Sequence, residues 1–383
     1  MKKYVSLRLT VILVAGAVLA TLFVAYALFL AYFRVSIPLR QEVIRFIEVR
    51  EIISARYIGE QDEGALTEAA LRATVSALGD PWTHYLNAEE YAQHLRHIGN
   101  QQQGIGINFS RNEESNTLLI VAVTPGSPAE EAGLVGGDTI LTVAGEDTAQ
   151  LDTQGIRERI GAHYGGQVAL YVAGPNGDTR MVYVEVRQFF VNPVRYELKP
   201  GNIGYIQLAN FDVRSGELTI EAIESLLEQG AQSLLFDLRF NPGGRVTELL
   251  AVLDHLLPEG ELFVFEDQRG QETIHYAGPA YLDVPMVVLI NGHSSSAAEF
   301  FAAILQESDW ATIIGTPTTG KGRSQMMFPL SSGSALLLST SRYLTPGRVD
   351  LDEAGGIQPD ILVESGEGYE DLQLEYALAY LQR

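Results

Sequence analysis

The chain has 383 residues, 46% of them hydrophobic and 19% charged, which excludes a disordered or low-complexity protein and allows two or three domains. The 26 basic and 48 acidic residues give a net charge of −22, which argues against general nucleic-acid binding because that function needs a positive surface. Cysteine is absent, so the chain has no thiol nucleophile, Cys-ligated metal site or disulfide.

The amino terminus carries a long apolar run. Residues 9–33 contain no charge, and a helix of that length, rising about 1.5 Å per residue, crosses a hydrocarbon core about 30 Å thick. A cleavable signal peptide has a shorter apolar region of roughly 7–15 residues. The run therefore predicts an uncleaved transmembrane anchor at 9–33, preceded by a cytoplasmic segment at 1–8.

The distribution of charge predicts the orientation of this anchor. The first 40 residues include five basic and no acidic residues, and the rest of the chain carries a charge of −27. Positive flanks stay on the cytoplasmic side, although Arg34 and Arg40 follow the span and weaken the asymmetry. We expect a single-pass protein of the cytoplasmic (inner) membrane whose large domain lies on the periplasmic or extracytoplasmic side.

A helical segment is predicted to follow the anchor. Apolar residues at helical spacing predict helices over 39–75 and 66–78, and Asn87 is the predicted N-cap of a further short helix. His94 and His97 are the closest histidine pair in the chain. Without a clear third ligand the pair is more typical of an exposed helix face, so we predict no metal site.

Between residues 100 and 190 the pattern changes to short β-rich runs separated by glycine-rich turns. Strands are predicted at 117–123, 167–172 and 181–186, and a helix is predicted at 153–162. These elements have the size of a small α+β module.

Three motifs in this module occur in a characteristic order. They are Gly-Ile-Gly-Ile at 104–107, Ser-Pro-Ala-Glu-Glu-Ala-Gly-Leu at 127–134, and Gly-Gly-Asp-Thr-Ile-Leu at 136–141. Together they resemble a bacterial PDZ domain, a fold that adds an extended peptide to a sheet edge and holds its terminal carboxylate on backbone N–H groups. The resemblance implies a ligand with an apolar carboxy-terminal residue. The implied peptide-binding residues are Gly104, Ile105, Gly106, Ile107, Ile156 and Ile160. For Ile156 and Ile160, ordinary core packing stays open as the alternative.

From residue 203 onward, strands alternate with helices. The predicted strands are at 203–208, 233–238, 286–290, 312–314 and 334–341, and the predicted helices are at 216–228, 246–257 and 296–306. This order is typical of an α/β domain, in which functional sites collect at the ends of the strands.

Several familiar catalytic motifs are absent or incomplete. The sequence has no Gly-x-Ser-x-Gly elbow and no His-Glu-x-x-His zinc motif. The segment Gly-Thr-Pro-Thr-Thr-Gly-Lys-Gly at 315–322 nearly matches a phosphate-binding P-loop, but Gly322 stands where the motif needs a Mg²⁺-binding hydroxyl. Pro317 also removes one N–H from the phosphate cradle. An NTPase is therefore the least favoured function.

A different combination of segments points to a peptidase. The loop at 291–299 places serines before a helix, where the helix amides favour developing negative charge. Asp-Leu-Arg-Phe-Asn-Pro-Gly-Gly at 237–244 also follows a strand, and Lys321 is one of only four lysines. With Asp-Pro at 80–81 and Gly-Ile-Gln-Pro-Asp at 356–360, these segments resemble the carboxy-terminal processing (tail-specific) serine proteases over nearly the whole chain beyond the anchor.

The resemblance implies an architecture and a set of site residues. The implied fold is multidomain, with a transmembrane helix, a helical segment at 34–98 and a PDZ-like α+β domain at 99–190. The last domain, at 191–383, is an α/β Ser-Lys peptidase domain of the crotonase-like ββα type. The PDZ-like domain is inserted either before this peptidase domain or within it. The implied catalytic groups are Ser296 as nucleophile, Lys321 as general base and Gln325 as the residue orienting Lys321, with Gly243 or Gly244 and Ala297 as oxyanion donors. Gln325 approaches Lys321 if that stretch of chain turns. Two residues depart from the family pattern: Phe240, where Gly is common, and Ala298, where Ser is common.

These observations predict a membrane-anchored serine endopeptidase that recognises apolar carboxy-terminal tails and cleaves envelope proteins through an acyl-enzyme. A lysine base needs its pKa lowered from about 10.4 toward neutrality, which burial accomplishes. No cofactor is expected, and a homo-oligomer or an activating adaptor protein is left open as a partner. The alternative is a catalytically silent PDZ scaffold that binds peptides.

Overall fold

The computed structural model describes residues 7–33, 37–112, 116–366 and 370–383. The chain divides into two compact units, Met1–Leu71 and Arg72–Arg383. The predicted basic flanks at Lys2, Lys3 and Arg34 lie outside the described residues.

The first unit is helical. Its helices are α1 (Leu7–Phe33), α2 (Ile37–Arg56) and α3 (Glu63–Ser76), the last of which continues into the second unit. In the described part of the chain, one helical stretch, Val11–Phe29, is long and apolar enough to cross a membrane. The helix predicted over 39–75 is interrupted at 57–62, where Asp62 accepts hydrogen bonds from the amides that begin α3.

The second unit begins with strand β1 (His84–Leu86) and helix α4 (Ala88–Ile98). Asn87 caps α4, as predicted: its side chain accepts from the Glu90 amide, and the Glu90 carboxylate accepts from the Asn87 amide. β1 pairs with a strand near the carboxyl terminus of the chain. The predicted helical segment thus contributes a strand to a sheet that is otherwise formed by the later part of the chain.

Among the described residues, the following module contains a six-stranded sheet, a separate two-stranded sheet and two short helices. Its elements are β2 (Gln101–Gly104), β3 (Ile107–Asn112), β4 (Thr117–Val123), α5 (Pro128–Glu131), β5 (Thr139–Val143), β6 (Glu146–Asp147), α6 (Thr153–Gly161), β7 (Gln167–Ala173), β8 (Thr179–Glu185) and β9 (Arg187–Phe190). The sheet runs β3-β4-β5-β7-β8 with β6 on β5, while β2 pairs with β9. Alternating buried residues along β7 and β8 supply its core, as the period of two in a half-buried strand requires.

The remainder of the chain forms two further sheets with helices around them. Its strands are β10 (Val194–Lys199), β11 (Ile203–Leu208), β12 (Ser233–Asp237), β13 (Gly260–Asp267), β14 (Glu272–Ala277), β15 (Met286–Ile290), β16 (Thr312–Gly315), β17 (Arg323–Pro329), β18 (Ala335–Leu344) and β19 (Ile361–Leu362). Its helices are α7 (Ser215–Glu228), α8 (Val246–Leu256), α9 (Ala297–Glu307), α10 (Leu351–Ala354) and α11 (Leu372–Leu381).

The central sheet has the order β10-β11-β12-β15-β16-β19, and all of its neighbours beyond the β10–β11 pair are parallel. β12 and β15 are buried at every position, and α9 is buried from Ala297 to Leu305. Parallel strands buried on both faces consist of continuous apolar runs, which is why the sequence predicted them well. The carboxyl ends of β12 and β15 meet at one edge of this sheet.

The second sheet was largely missed by the sequence analysis. It has the order β1-β18-β13-β14, with β17 also paired to β18. The segment 323–329 has three polar residues followed by Met-Met-Phe-Pro, so its sequence lacks a clear period of two, and a register shift interrupts its pairing. Its strand character comes from pairing with β18 rather than from local pattern.

Candidate active site

Ser296 lies at the first turn of α9, directly after the loop that leaves β15. Its backbone has φ 54° and ψ −120°, a conformation that non-glycine residues rarely adopt, and the residue is 6% exposed. Strain of this kind persists only where the surroundings impose it, and it is concentrated at functional sites. The hydroxyl is thereby held beside the amides that begin a buried helix, where negative charge is favoured.

Glu299 joins the serine loop to the lysine loop. Its carboxylate is fully buried and accepts four hydrogen bonds. Oε2 accepts from the backbone N of Ser296 at 2.7 Å and of Lys321 at 2.8 Å. Oε1 accepts from the Gly320 amide at 2.6 Å and from Thr318 Oγ1 at 2.6 Å. One oxygen atom therefore fixes the backbones of the predicted nucleophile and the predicted base beside each other.

Sequence reasoning missed Glu299, although its signal was present. A serine followed three residues later by glutamate at a helix start is the capping-box spacing. Its partners on the lysine loop come from a segment about twenty residues away, and only the fold brings that segment to the helix. The same contacts argue against a phosphate-binding P-loop at 315–322. The Gly320 and Lys321 amides that would bind a phosphate donate to this carboxylate instead.

Lys321 is largely buried, and its amine lies over an aromatic ring. Burial lowers the pKa of its ammonium, while the carboxylates of Glu299 and Asp80 offset part of that effect. Nζ is 4.6 Å from the centroid of the Trp82 ring. Within the described residues no hydrogen bond joins Nζ to Ser296 Oγ, and the role of Lys321 as general base stays a prediction.

Gln325 occupies a strand rather than a turn. It lies in β17, and its amide donates to the carbonyl of Arg323 at 2.8 Å and to Ser339 Oγ at 3.4 Å. The turn that would return Gln325 toward Lys321 is therefore not formed. The orienting role of Gln325 stays a prediction.

Of the two predicted oxyanion glycines, Gly243 packs against Ser296, whereas Gly244 packs against Phe211 and Asp212. A Cβ built on Gly243, whose φ is +93°, would lie 2.8 Å from Ser296 Cβ and 2.9 Å from the Ala297 nitrogen. The Gly243 amide already donates to Asn241 Oδ1 at 2.8 Å. Across the described part of the chain, the amides of Gly244 and Ala297 have no acceptor. Their role as donors to a developing oxyanion stays a prediction.

A cluster of charged side chains lies at the start of the loop at 241–244, which carries the two predicted oxyanion glycines. Arg239 donates to Asp237 at 2.6 Å and to Asp371 at 2.6 and 2.8 Å, and Tyr205 Oη donates to Asp237 at 2.8 Å. The guanidinium lowers the pKa of the Asp371 carboxyl, and burial together with Asp237 raises the pKa of Tyr205. Because Arg239 precedes the loop by two residues, this cluster anchors its start to α11.

The PDZ motif residues divide between backbone and core. Gly104 and Gly106 have φ +135° and +83°, and a Cβ on Gly106 would lie 2.2 Å from Ser127 Cβ, so this position requires glycine. Ile105, Ile156 and Ile160 are buried in the core of the module, and Ile107 is half-buried. The packing thus gives Ile156 and Ile160 the core role left open above and places Ile105 in the same core. Their contribution to a peptide groove stays a prediction.

The described residues contain no group of His, Cys, Asp or Glu side chains placed to hold a metal ion. His94 is half-buried on α4, where burial lowers its pKa and His97 lowers it further.

Comparison with known proteins connects this geometry to a family. The model of peptidase family S41 matches residues 202–363, and a PDZ domain model matches residues 119–173. The carboxyl-terminal-processing protease of a Synechocystis species is 34% identical over 304 residues, which cover 78% of this chain and 71% of the relative. Its counterpart from a Picosynechococcus species is 30% identical over 316 residues, with coverage of 81% and 76%.

A solved structure agrees with this assignment. The photosystem II D1 C-terminal processing protease is 27% identical to this chain, with a TM-score of 0.51, and the match covers 88% of this chain and 91% of that one. The chain therefore belongs to peptidase family S41 and is a serine-type peptidase with a PDZ domain.

Proposed function

We propose that this chain is a membrane-anchored Ser-Lys endopeptidase that cleaves proteins near apolar carboxy-terminal tails. The observation that carries the proposal is the shared Glu299 oxygen, which holds the Ser296 and Lys321 amides side by side next to Gly243. A buried lysine and a strained serine at a helix start are the two groups that this mechanism needs. The strand–helix order of the peptidase region is compatible with the crotonase-like ββα arrangement expected from the sequence.

In the proposed mechanism, Lys321 acts as a neutral amine. It accepts the proton of Ser296 Oγ as that oxygen attacks the peptide carbonyl, and the oxyanion is bound by the amides of Gly244 and Ala297. The lysine ammonium then gives its proton to the leaving amine, which leaves an acyl-enzyme. A water molecule, deprotonated by the same amine, attacks the ester and releases the new carboxyl end while Ser296 regains its proton.

The first helix supports a proposal for the placement of the enzyme. The stretch Val11–Phe29 is long and apolar enough to span a membrane, and the charge excess of the first 40 residues favours an amino terminus in the cytoplasm. We propose that the helix is a single-pass anchor and that the peptidase and PDZ domains lie outside the cytoplasmic membrane. Substrates are then envelope proteins with accessible tails.

Cleavage of a poorly folded reporter tests this function directly. We expect the full chain, solubilised in detergent, to cut a reporter that ends in an apolar residue, with products identified by mass spectrometry. Binding of the tail without any cleavage is the outcome that a PDZ scaffold predicts, and it would overturn the proposal.

The free carboxylate of the tail is expected to matter. Replacing it with an amide removes the charge-assisted hydrogen bonds to backbone N–H groups that a PDZ domain supplies. Such bonds contribute about 1.5–3 kcal/mol, so kcat/KM for the amidated reporter should fall roughly 10- to 100-fold. The measurement compares the two reporters, which differ only at that group. Equal rates would show that the tail is not recognised through its carboxylate.

Glu299→Gln is expected to damage both folding and catalysis. An amide has one acceptor oxygen, so its NH2 group would face two of the four donors that the carboxylate now satisfies. Leaving buried donors unpaired at this junction should cost about 2–5 kcal/mol of unfolding free energy. Denaturant unfolding and kcat/KM are both measured, with Glu307→Gln at the exposed end of the same helix as control. A variant as stable and active as wild type would contradict this role.

A further inference from the structure

Phe240 is exposed and conformationally strained beside the candidate active site. It is 69% exposed and has φ +63°, the left-handed region in which a bulky residue is an outlier. Most of the Phe240 side chain is exposed, and glycine would adopt this backbone without strain. Neither core packing nor backbone preference explains the residue.

The Phe240 ring forms a stacked pair with an exposed histidine. The rings of Phe240 and His293 have centroids 5.2 Å apart and an interplanar angle of 18°. Asn291 Oδ1 accepts from the Phe240 amide at 3.1 Å and from the His293 amide at 3.0 Å. A single side chain thus fixes the backbones of both members, and we call this pair the aromatic platform.

The aromatic platform is built from the two loops that carry the catalytic groups. Phe240 precedes Gly243 by three residues, and His293 precedes Ser296 by three residues. The loops are joined again closer to the nucleophile, where the Ser295 amide donates to the Asn241 carbonyl at 2.9 Å. The platform therefore holds a fixed position relative to Ser296.

We propose that the aromatic platform is a specificity subsite that binds an aromatic side chain of the substrate within a few residues of the cleaved bond. This inference rests on the proposed peptidase function. Rigid exposed rings interact favourably with a third ring in a stacked or edge-to-face arrangement. A contact of that kind should favour an aromatic residue over alanine by roughly 3- to 10-fold in kcat/KM.

The test is a substitution series in the substrate. The cleavage site of a reporter peptide with an apolar carboxyl end is mapped for the full chain in detergent. Each of the three residues on either side of that bond is then changed in turn to Phe, Leu or Ala. We expect one position at which Phe exceeds Ala, mainly through a lower KM. Wild-type enzyme without preference at any of the six positions would overturn the subsite.

Two variants of the enzyme test whether the aromatic platform causes the preference for Phe over Ala in the substrate. In Phe240→Gly the ratio of kcat/KM for the Phe reporter to kcat/KM for the Ala reporter should fall to about one. In His293→Ala the same ratio should fall only in part. Tyr276→Ala removes a comparably exposed ring on β14 and should keep the wild-type ratio. An unchanged ratio in Phe240→Gly would overturn the proposal.

Thermal unfolding separates recognition from packing. Glycine tolerates the backbone conformation of residue 240, so the midpoint of Phe240→Gly should be no lower than that of wild type. A clearly lower midpoint would make Phe240 a packing residue and overturn the subsite. Failure of the subsite is distinguishable from failure of the peptidase proposal. If wild type cuts the Phe and Ala reporters with equal kcat/KM, only the subsite is overturned. If wild type cuts no reporter, both proposals are overturned.

Discussion

Ser296→Ala is expected to abolish peptide-bond cleavage, lowering kcat at least about 10⁴-fold. The neighbouring Ser294 is not free to replace it, since its Oγ donates to the Leu238 carbonyl at 2.8 Å and accepts from the Asn291 amide at 3.0 Å. The reporter assay with mass spectrometry measures the loss. Residual cleavage near the wild-type rate would reject Ser296 as nucleophile.

Ser295→Ala is the matched control, because Ser295 is adjacent in sequence and only half-buried. It should keep activity within a few-fold of wild type. Ser296→Ala should also unfold at nearly the wild-type temperature, since alanine bears the positive φ no worse than serine and the Glu299 bond is made by the backbone amide. If both alanine variants lost activity together, the loss would reflect damage to the loop rather than to the nucleophile.

The same variant separates the enzyme from the scaffold. The PDZ domain is a separate sheet with its own core, so Ser296→Ala should bind a tail peptide as tightly as wild type. Trapping of uncut reporter by this variant, measured by fluorescence anisotropy, would show that recognition and chemistry are carried by different parts of the chain.

The central sheet and its loops were predictable from sequence for a physical reason. β12 and β15 occur within one residue of the predicted positions because strands buried on both faces consist of apolar runs bounded by turns. The loops after β12 and β15 were recognised because their glycines and serines stand at strand ends. Local pattern carries this information without any knowledge of tertiary contacts.

Other features of the site depend on contacts between distant segments. Trp82 reaches Lys321 from more than two hundred residues away in sequence. Gln325 was expected near a turn, but its segment pairs with β18 and becomes a strand. Asp371 completes the cluster around Arg239 from the carboxyl-terminal helix. None of these pairings has a local signature, so sequence spacing alone did not reveal them.

Lys321→Met is expected to lower kcat/KM at neutral pH by about 10²- to 10⁴-fold, the usual contribution of a general base. Methionine keeps much of the length and apolar contact of the side chain but cannot accept a proton. Lys321→Arg should be equally impaired, because a guanidinium stays protonated. Wild-type-like activity in either variant would exclude the lysine as base.

The pH profile tests the assignment of the base without removing it. Only the neutral amine accepts a proton, and burial lowers the pKa of Lys321, so wild-type kcat/KM should rise with pH through one ionisation centred below the ordinary lysine value. The pKa is lower in the folded than in the unfolded chain, so the unfolded chain binds more protons between the two values. The contribution of Lys321 to stability therefore also rises with pH in that window. Lys321→Met should lack the ionisation in both measurements.

Trp82→Leu provides a directed perturbation of that profile. The ring lies 4.6 Å from Nζ and stabilises the ammonium form by a cation–π contact. Removing it should favour the neutral amine and move the activity midpoint to lower pH by about half to one unit. The Asp80 and Glu299 carboxylates stay in place and continue to favour the ammonium, so the shift isolates the contribution of the ring. A midpoint that does not respond to Trp82 would mean that the ionisation controlling activity belongs to a group other than Lys321.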